Sequence, residues 1–191
     1  MNRDDFYKTV SLRLGPLSQS QVDGIETLLD AIDGQPLSWQ AYMLATAWHE
    51  TAQTMQPVRE AFQLSEAWRQ KNLRYYPWYG RGYVQTTWER NYARLDAEAA
   101  AAGLTKAGDI LANPDLAMRP DIAAFALRRG LEEGWYDAQG KTMAQRLPMQ
   151  GVATRAQYIN ARYLVNVQDK ADLIEGYAQA FERALRDGGV S

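Results

Sequence analysis

The chain has no cysteine and a single histidine among its 191 residues. Without thiols there is neither a disulfide framework nor thiolate chemistry, and one imidazole cannot build a histidine-rich metal site. No stretch approaches the roughly 18 consecutive apolar residues of a membrane span. The opening residues Met1-Asn2-Arg3-Asp4-Asp5-Phe6 lack the apolar segment of a secretory signal, so the protein is expected to be cytoplasmic when made. Lysine and arginine total 21 against 23 aspartate and glutamate, for a net charge of −2, and there is no long basic run. A sequence-independent attraction to nucleic acid is therefore not expected. No internal repeat or low-complexity linker divides the chain.

What is present reads as an ordinary globular protein, 46% hydrophobic and 23% charged, long enough to bury a real core. One domain over 1–191 is expected: a helical scaffold at 1–36, a chemistry-bearing segment at 37–92 and a helical remainder at 93–191. Phe6, Val10 and Leu14 recur at helical spacing before Gly15-Pro16 breaks the segment. Ser18 and Gln21 form a capping box for a helix whose apolar face is Val22, Ile25, Leu28, Leu29 and Ile32. Ser38 is read as the cap of the next helix, which runs through Trp39, Tyr42, Met43 and Trp48 to Glu50. Pro120 opens a later helix toward Gly134, Thr154 caps another, and 169–186 is amphipathic with more acids than bases. That last feature argues against a membrane-disrupting role.

The dense chemistry lies between Trp48 and Trp88. Glu50 closes the apolar helix, an environment expected to desolvate it partly. Glu60 follows ten residues later, and Pro57 between them disfavours one continuous helix. Glu60 is thus placed on a separate loop, facing Glu50 across a groove. Glu66, after Ser65, reads as the first turn of a short helix rather than as a competitor. Tyr75 to Trp88 combines glycines with strand-like alternation, Tyr83, Gln85 and Thr87 on one face and Val84, Thr86 and Trp88 on the other. Thr86 with Glu89 suggests a further capping box. At least one of Tyr76, Trp78 and Tyr79 is expected to line the groove. Two carboxylates, aromatic rings and amides are the ingredients for breaking a glycosidic bond. The plainer reading makes Glu50 a surface glutamate at a fraying helix end and the aromatics hairpin packing. A zinc-peptidase reading of His49-Glu50 fails, because the required second histidine position holds Gln53.

The chain resembles the catalytic domain of glycoside hydrolase family 19, the plant-type chitinases and many bacteriophage endolysins. The matching residues are His49-Glu50-Thr51, Glu60, the run from Tyr79-Gly80-Arg81-Gly82-Tyr83 to Trp88 with Asn91 and Tyr92, Asn113-Pro114-Asp115-Leu116, and Ala161 to Asn166. The family usually follows that asparagine with glycine, where this chain has Val167. Plant members carry disulfides, so the likeness is to the compact phage and bacterial branch. The resemblance implies a mainly helical, lysozyme-like single domain with a small β-hairpin at the groove. It assigns Glu50 as acid, Glu60 as base and Thr87 as the holder of the attacking water. His49, Tyr79, Arg81, Gln85, Asn91 and Asn166 are implied to bind substrate, and neither a cofactor nor a metal is required. The implied activity is inverting hydrolysis of a β-1,4 bond in peptidoglycan by a monomeric endolysin, with a holin opening the membrane for it. A chitinase using the same chemistry, or a glycan-binding module without catalysis, remains as an alternative.

Overall fold

The helix that ends at Glu50 is buried from Leu37 to Trp48 and is apolar nearly all round. A helix of that composition belongs inside, with other elements wrapped about it. A computed structural model describes residues 1–191, mainly helical with one two-stranded antiparallel sheet. In chain order the elements are α1 (Arg3–Leu14), α2 (Gln19–Ala31), α3 (Leu37–Glu50), β1 (Val58–Arg59), α4 (Glu66–Asn72), β2 (Arg81–Gly82) and α5 (Glu89–Ala101). There follow α6 (Asp109–Ala112), α7 (Pro120–Glu132), α8 (Arg155–Ala161) and α9 (Ala171–Asp187), with 3₁₀ turns at Pro114–Met118, Met143–Gln145 and Arg162–Leu164. No helix is long and apolar enough to cross a membrane.

α9 presents Ile174, Ala178, Phe181 and Leu185 to α3 and lies between it and α1. Trp48 meets Phe181 and Tyr177 edge-on, with centroids 5.9 and 6.4 Å apart. A second, smaller core gathers Tyr92, Leu95 and Ala99 of α5 with Ile110, Ala117 and Trp135. α7 joins the two, giving Leu127 and Leu131 to the larger core and Ile122 and Ala126 to the smaller. The β1–β2 pair and the loops around it occupy the space between these cores, which is where the two glutamates meet.

Local signals account for several helix starts. Ser18 with Gln21 and Thr154 with Gln157 both close capping boxes, and Ser65 caps α4 so that Glu66 falls in its first turn. Two expected caps are corrected. Ser38 lies inside α3, where its buried hydroxyl donates to the Pro148 carbonyl at 2.8 Å; Pro36 is the residue before the helix. Thr86 does not cap α5. It is buried, sharing a 3.0 Å hydrogen bond with the Tyr136 hydroxyl, and Trp88 precedes α5 with no side-chain cap.

The expected strand alternation over 83–88 is also corrected. The only paired residues are Val58 with Gly82 and Arg59 with Arg81, plus a bridge from Arg81 to Thr86. Gln85 and Trp88 adopt positive φ of 54° and 74°, which breaks the period of two. The sheet therefore pairs the Glu60 segment with the Tyr79–Gly82 run rather than forming a hairpin within that run. Gly82 is required in this position: φ is +84° and an added Cβ would stand 3.0 Å from the Ala117 carbonyl oxygen.

Candidate active site

α3 delivers Glu50 and stops there. Thr51 folds back on the helix, its hydroxyl donating to the Ala47 carbonyl at 2.7 Å while accepting from the Met55 amide. Glu50 does not end on the bare apolar face expected of it. Arg162, 112 positions later in the chain and 2% exposed, donates from Nη1 to Glu50 Oε1 at 2.8 Å. Its Nε donates to the Asp169 carbonyl at 2.8 Å, so the guanidinium is anchored before it meets the carboxylate. The Glu50 carboxyl group therefore has a fixed countercharge beside it.

Glu60 arrives from the other side, directly after β1. Its backbone amide donates to the Gly80 carbonyl at 2.7 Å, extending the sheet by one bond. The carboxylate accepts from the Tyr75 hydroxyl at 2.6 Å on Oε1 and from the Gly80 amide at 2.9 Å on Oε2. Burial, and then the bond to Glu60, push the Tyr75 hydroxyl up to about 12, so it remains a donor. Arg69 of α4, itself buried, donates to the carbonyls of Glu60 and Ala61 at 2.7 and 2.9 Å. Two donors on the carboxylate and two on the backbone hold this side chain in one orientation, with lone pairs left to take a proton.

The two carboxylates share one cleft of about 310 Å³, lined also by Tyr75, Val84, Gln85, Thr87, Val165 and Asn166. At about 30 Å³ per liquid water this space holds several waters or part of a sugar ring. Thr87 donates to the Gln85 carbonyl at 2.7 Å, which leaves its oxygen as an acceptor toward the cleft. Gln85 donates from Nε2 to the carbonyls of Val58 and Gly82, and its side chain packs against Gly80, where a Cβ would come within 2.7 Å of Oε1. Asn166 is exposed on the rim.

The other expected substrate contacts are placed elsewhere. Tyr79 and Arg81 are buried: the Tyr79 hydroxyl donates to Glu66, and the Arg81 guanidinium stacks on the Tyr79 ring at 3.6 Å. Arg81 also pairs with Asp115 at 2.8 Å and donates to the Pro77 carbonyl and the Tyr92 hydroxyl. These two residues are the strut behind β2, and neither lines the cleft. Asn91 is 8% exposed, and its amide donates to the Thr87 carbonyl at 2.8 Å; it positions Thr87 instead of facing substrate. His49 is half-buried beside the cleft rather than lining it, and burial lowers its pKa against the opposing pull of Glu50.

None of the three aromatics nominated for the groove lines it. Trp78 packs on Tyr92 at 5.3 Å, Tyr79 is buried, and Tyr76 faces a different cavity. Tyr75 takes that role, with the exposed Trp88 ring 4.9 Å from it. Arg162 and Arg69 were not singled out from sequence. The one available signal was an arginine in otherwise apolar or aromatic surroundings, as in Ala161-Arg162-Tyr163-Leu164. In comparisons with known proteins, no family model, no curated protein and no solved structure matches this chain.

Proposed function

We propose that this protein is a glycoside hydrolase of lysozyme-like architecture that cleaves a β-1,4 bond beside an N-acetylated sugar in peptidoglycan. The observation that carries the reading is the meeting of Glu50 and Glu60 in one cleft, each delivered by a different segment, Glu50 paired with the buried Arg162 and the Glu60 carboxylate fixed by Tyr75 and the Gly80 amide. Glu50 is the acid: its Oε2 takes no protein hydrogen bond and is free to protonate the leaving oxygen, while Arg162 receives the charge that follows. Glu60 is the base, its two acceptor bonds aiming it at a water that the Thr87 oxygen also holds. Tyr75 and Trp88 supply aromatic faces for the sugar, Asn166 supplies an amide for its hydroxyl and acetamido groups, and Gln85, its amide nitrogen tied to two backbone carbonyls, shapes the cleft wall.

Peptidoglycan as the polymer, and the endolysin role with a holin granting access to the wall, rest on the sequence resemblance. Chitin is the competing polymer for the same chemistry. Purified protein should clear isolated cell walls faster than it releases reducing sugar from colloidal chitin. Mass spectrometry of the digested glycan ends identifies the bond cut. Turnover of chitin alone would move the assignment to a chitinase, and no turnover of either would leave a glycan-binding module.

A further inference from the structure

A cavity of about 760 Å³ is distinct from the cleft that holds the two glutamates. It adjoins the cleft along the chain at positions 59–60 and 75–76, where neighbouring residues divide between the two. Arg59 and Tyr76 line the cavity, whereas Glu60 and Tyr75 line the cleft. Its size falls within the range of about 300–1,000 Å³ typical of small-ligand sites.

The charges along its wall are unevenly matched. Arg59 and Arg81 stand opposite each other in the β1–β2 pair, and one carboxylate, Asp115, serves both at 2.8 Å. Arg81 is buried, so the surplus positive charge resides on Arg59, whose side chain is 39% exposed and sends only Nη2 to Asp115. Apart from the nearby Tyr79 hydroxyl, its remaining N–H groups make no side-chain hydrogen bond and can take an anion. Beside it Phe62 and Leu64 are 45% and 42% exposed, two large apolar side chains left in water. Glu66 accepts two bonds on Oε2 and none on Oε1, and so offers an acceptor at the same wall. The cavity thus combines a guanidinium with spare donors, an apolar shelf and a carboxylate.

Resting on the peptidoglycan reading, we infer that this cavity receives the short peptide branching from the glycan strand. The peptide's carboxylate would pair with Arg59, its methyl side chains would lie on Phe62 and Leu64, and its ammonium group would face Glu66. A strand seated in the cleft would send its branch past the Arg59–Glu60 and Tyr75–Tyr76 steps, where cavity and cleft adjoin. Chitin carries no such peptide, so the cavity would also be the part of the molecule that distinguishes the two polymers.

The test uses the full-length protein and the synthetic tetrapeptide L-alanyl-γ-D-glutamyl-L-lysyl-D-alanine in calorimetric titration. Saturable binding is expected, weakened roughly tenfold by Arg59→Gln and severalfold by Phe62→Ser, the scale of losing one charge-assisted hydrogen bond or one apolar contact. Both variants should raise KM on peptide-bearing walls by a similar factor, leaving kcat and the turnover of enzymatically peptide-stripped glycan unchanged. Thermal melts check folding, and exposed Phe62 serves as the readout should Arg59→Gln disturb β1. Failure of the tetrapeptide to bind, or binding indifferent to both variants, would overturn the inference. Equal weakening on peptide-stripped glycan would also overturn it, by making the cavity a sugar subsite. The titration requires no cleavage, so peptide binding by a protein that cuts no glycan would refute the hydrolase reading while leaving the cavity assigned.

Discussion

Glutamine at position 50 separates catalysis from architecture. The amide oxygen of Glu50→Gln can still accept the 2.8 Å hydrogen bond from Arg162, while the carboxyl group's capacity to transfer a proton is lost. Removing a positioned general acid lowers the rate by about 10²–10⁴. At about 1.36 kcal/mol per tenfold, that raises the barrier by about 2.7–5.4 kcal/mol. Stability should change less. Arg162, 2% exposed, loses its countercharge but keeps its hydrogen bonds, a cost of about 1–2 kcal/mol. For a chain of this length each kcal/mol lowers Tm by about 2–4 °C. Arg162→Met is the contrasting variant. It strands Glu50 and removes the donor to Asp169, at about 3–5 kcal/mol and about 6–20 °C in Tm, together with activity. Clearing rates on purified cell walls, paired with thermal melts, read both quantities. If Glu50→Gln kept more than about a tenth of the wild-type rate, Glu50 would not be the acid. An Arg162→Met melt matching wild type would mean that the ion pair does not hold the site.

The remaining predictions follow from neighbouring contacts. Asn91→Ala should cost about 1–2 kcal/mol of stability and also slow lysis, because Asn91 is buried and supports the Thr87 carbonyl. Gln85→Ala, at the partly exposed cleft wall, should slow lysis with a smaller shift in Tm, and matched melts and lytic assays separate the two. Under the proposed pairing of Glu50 as acid with Glu60 as base, the reaction inverts, so proton NMR in the first minutes should find the α-anomer from a β-linked substrate; an initial β-anomer would mean that Glu60 acts as a nucleophile. Asp137 is held below the ordinary aspartate range: burial pushes it up, but the Arg146 guanidinium at 2.6 Å and the Gln139 and Lys141 amides outweigh that. A depressed folded value contributes stability above the unfolded pKa, about 3.9, that is lost as pH falls through the folded value. Asp137→Asn should therefore flatten the acid limb of the stability curve below about pH 4, and urea midpoints measured from pH 6 to pH 2.5 check this.

Several features of the molecule were legible in the sequence because their causes are local. The capping boxes at Ser18–Gln21 and Thr154–Gln157 need only side chains three residues apart, and Ser65 sets the start of α4 in the same way. Pro57 keeps Glu60 off the helix of Glu50, and the apolar run from Leu37 to Trp48 becomes the central helix. The mainly helical class follows from these periodicities. So does the placement of Glu50 at a helix end and of Glu60 on a separate segment.

Tertiary structure decided which polar groups face the cleft and which are consumed behind it. From sequence, Tyr79, Arg81 and Asn91 are polar side chains as able to meet a sugar as Tyr75, Gln85 and Asn166. Burial against α5 and the Asp115 turn turned the first three inward, and no local rule encodes that distance. Thr86 gave up its expected cap for Tyr136, fifty residues away, because a buried hydroxyl requires a partner wherever one is available. The partner of Glu50 lies 112 positions downstream in a 3₁₀ turn. A hydrogen bond at that separation depends on how α3, α9 and the turn before α9 pack. Sequence spacing can nominate the two glutamates, but only the packed chain brings Arg162 to the Glu50 carboxylate and Arg69 to the Glu60 backbone.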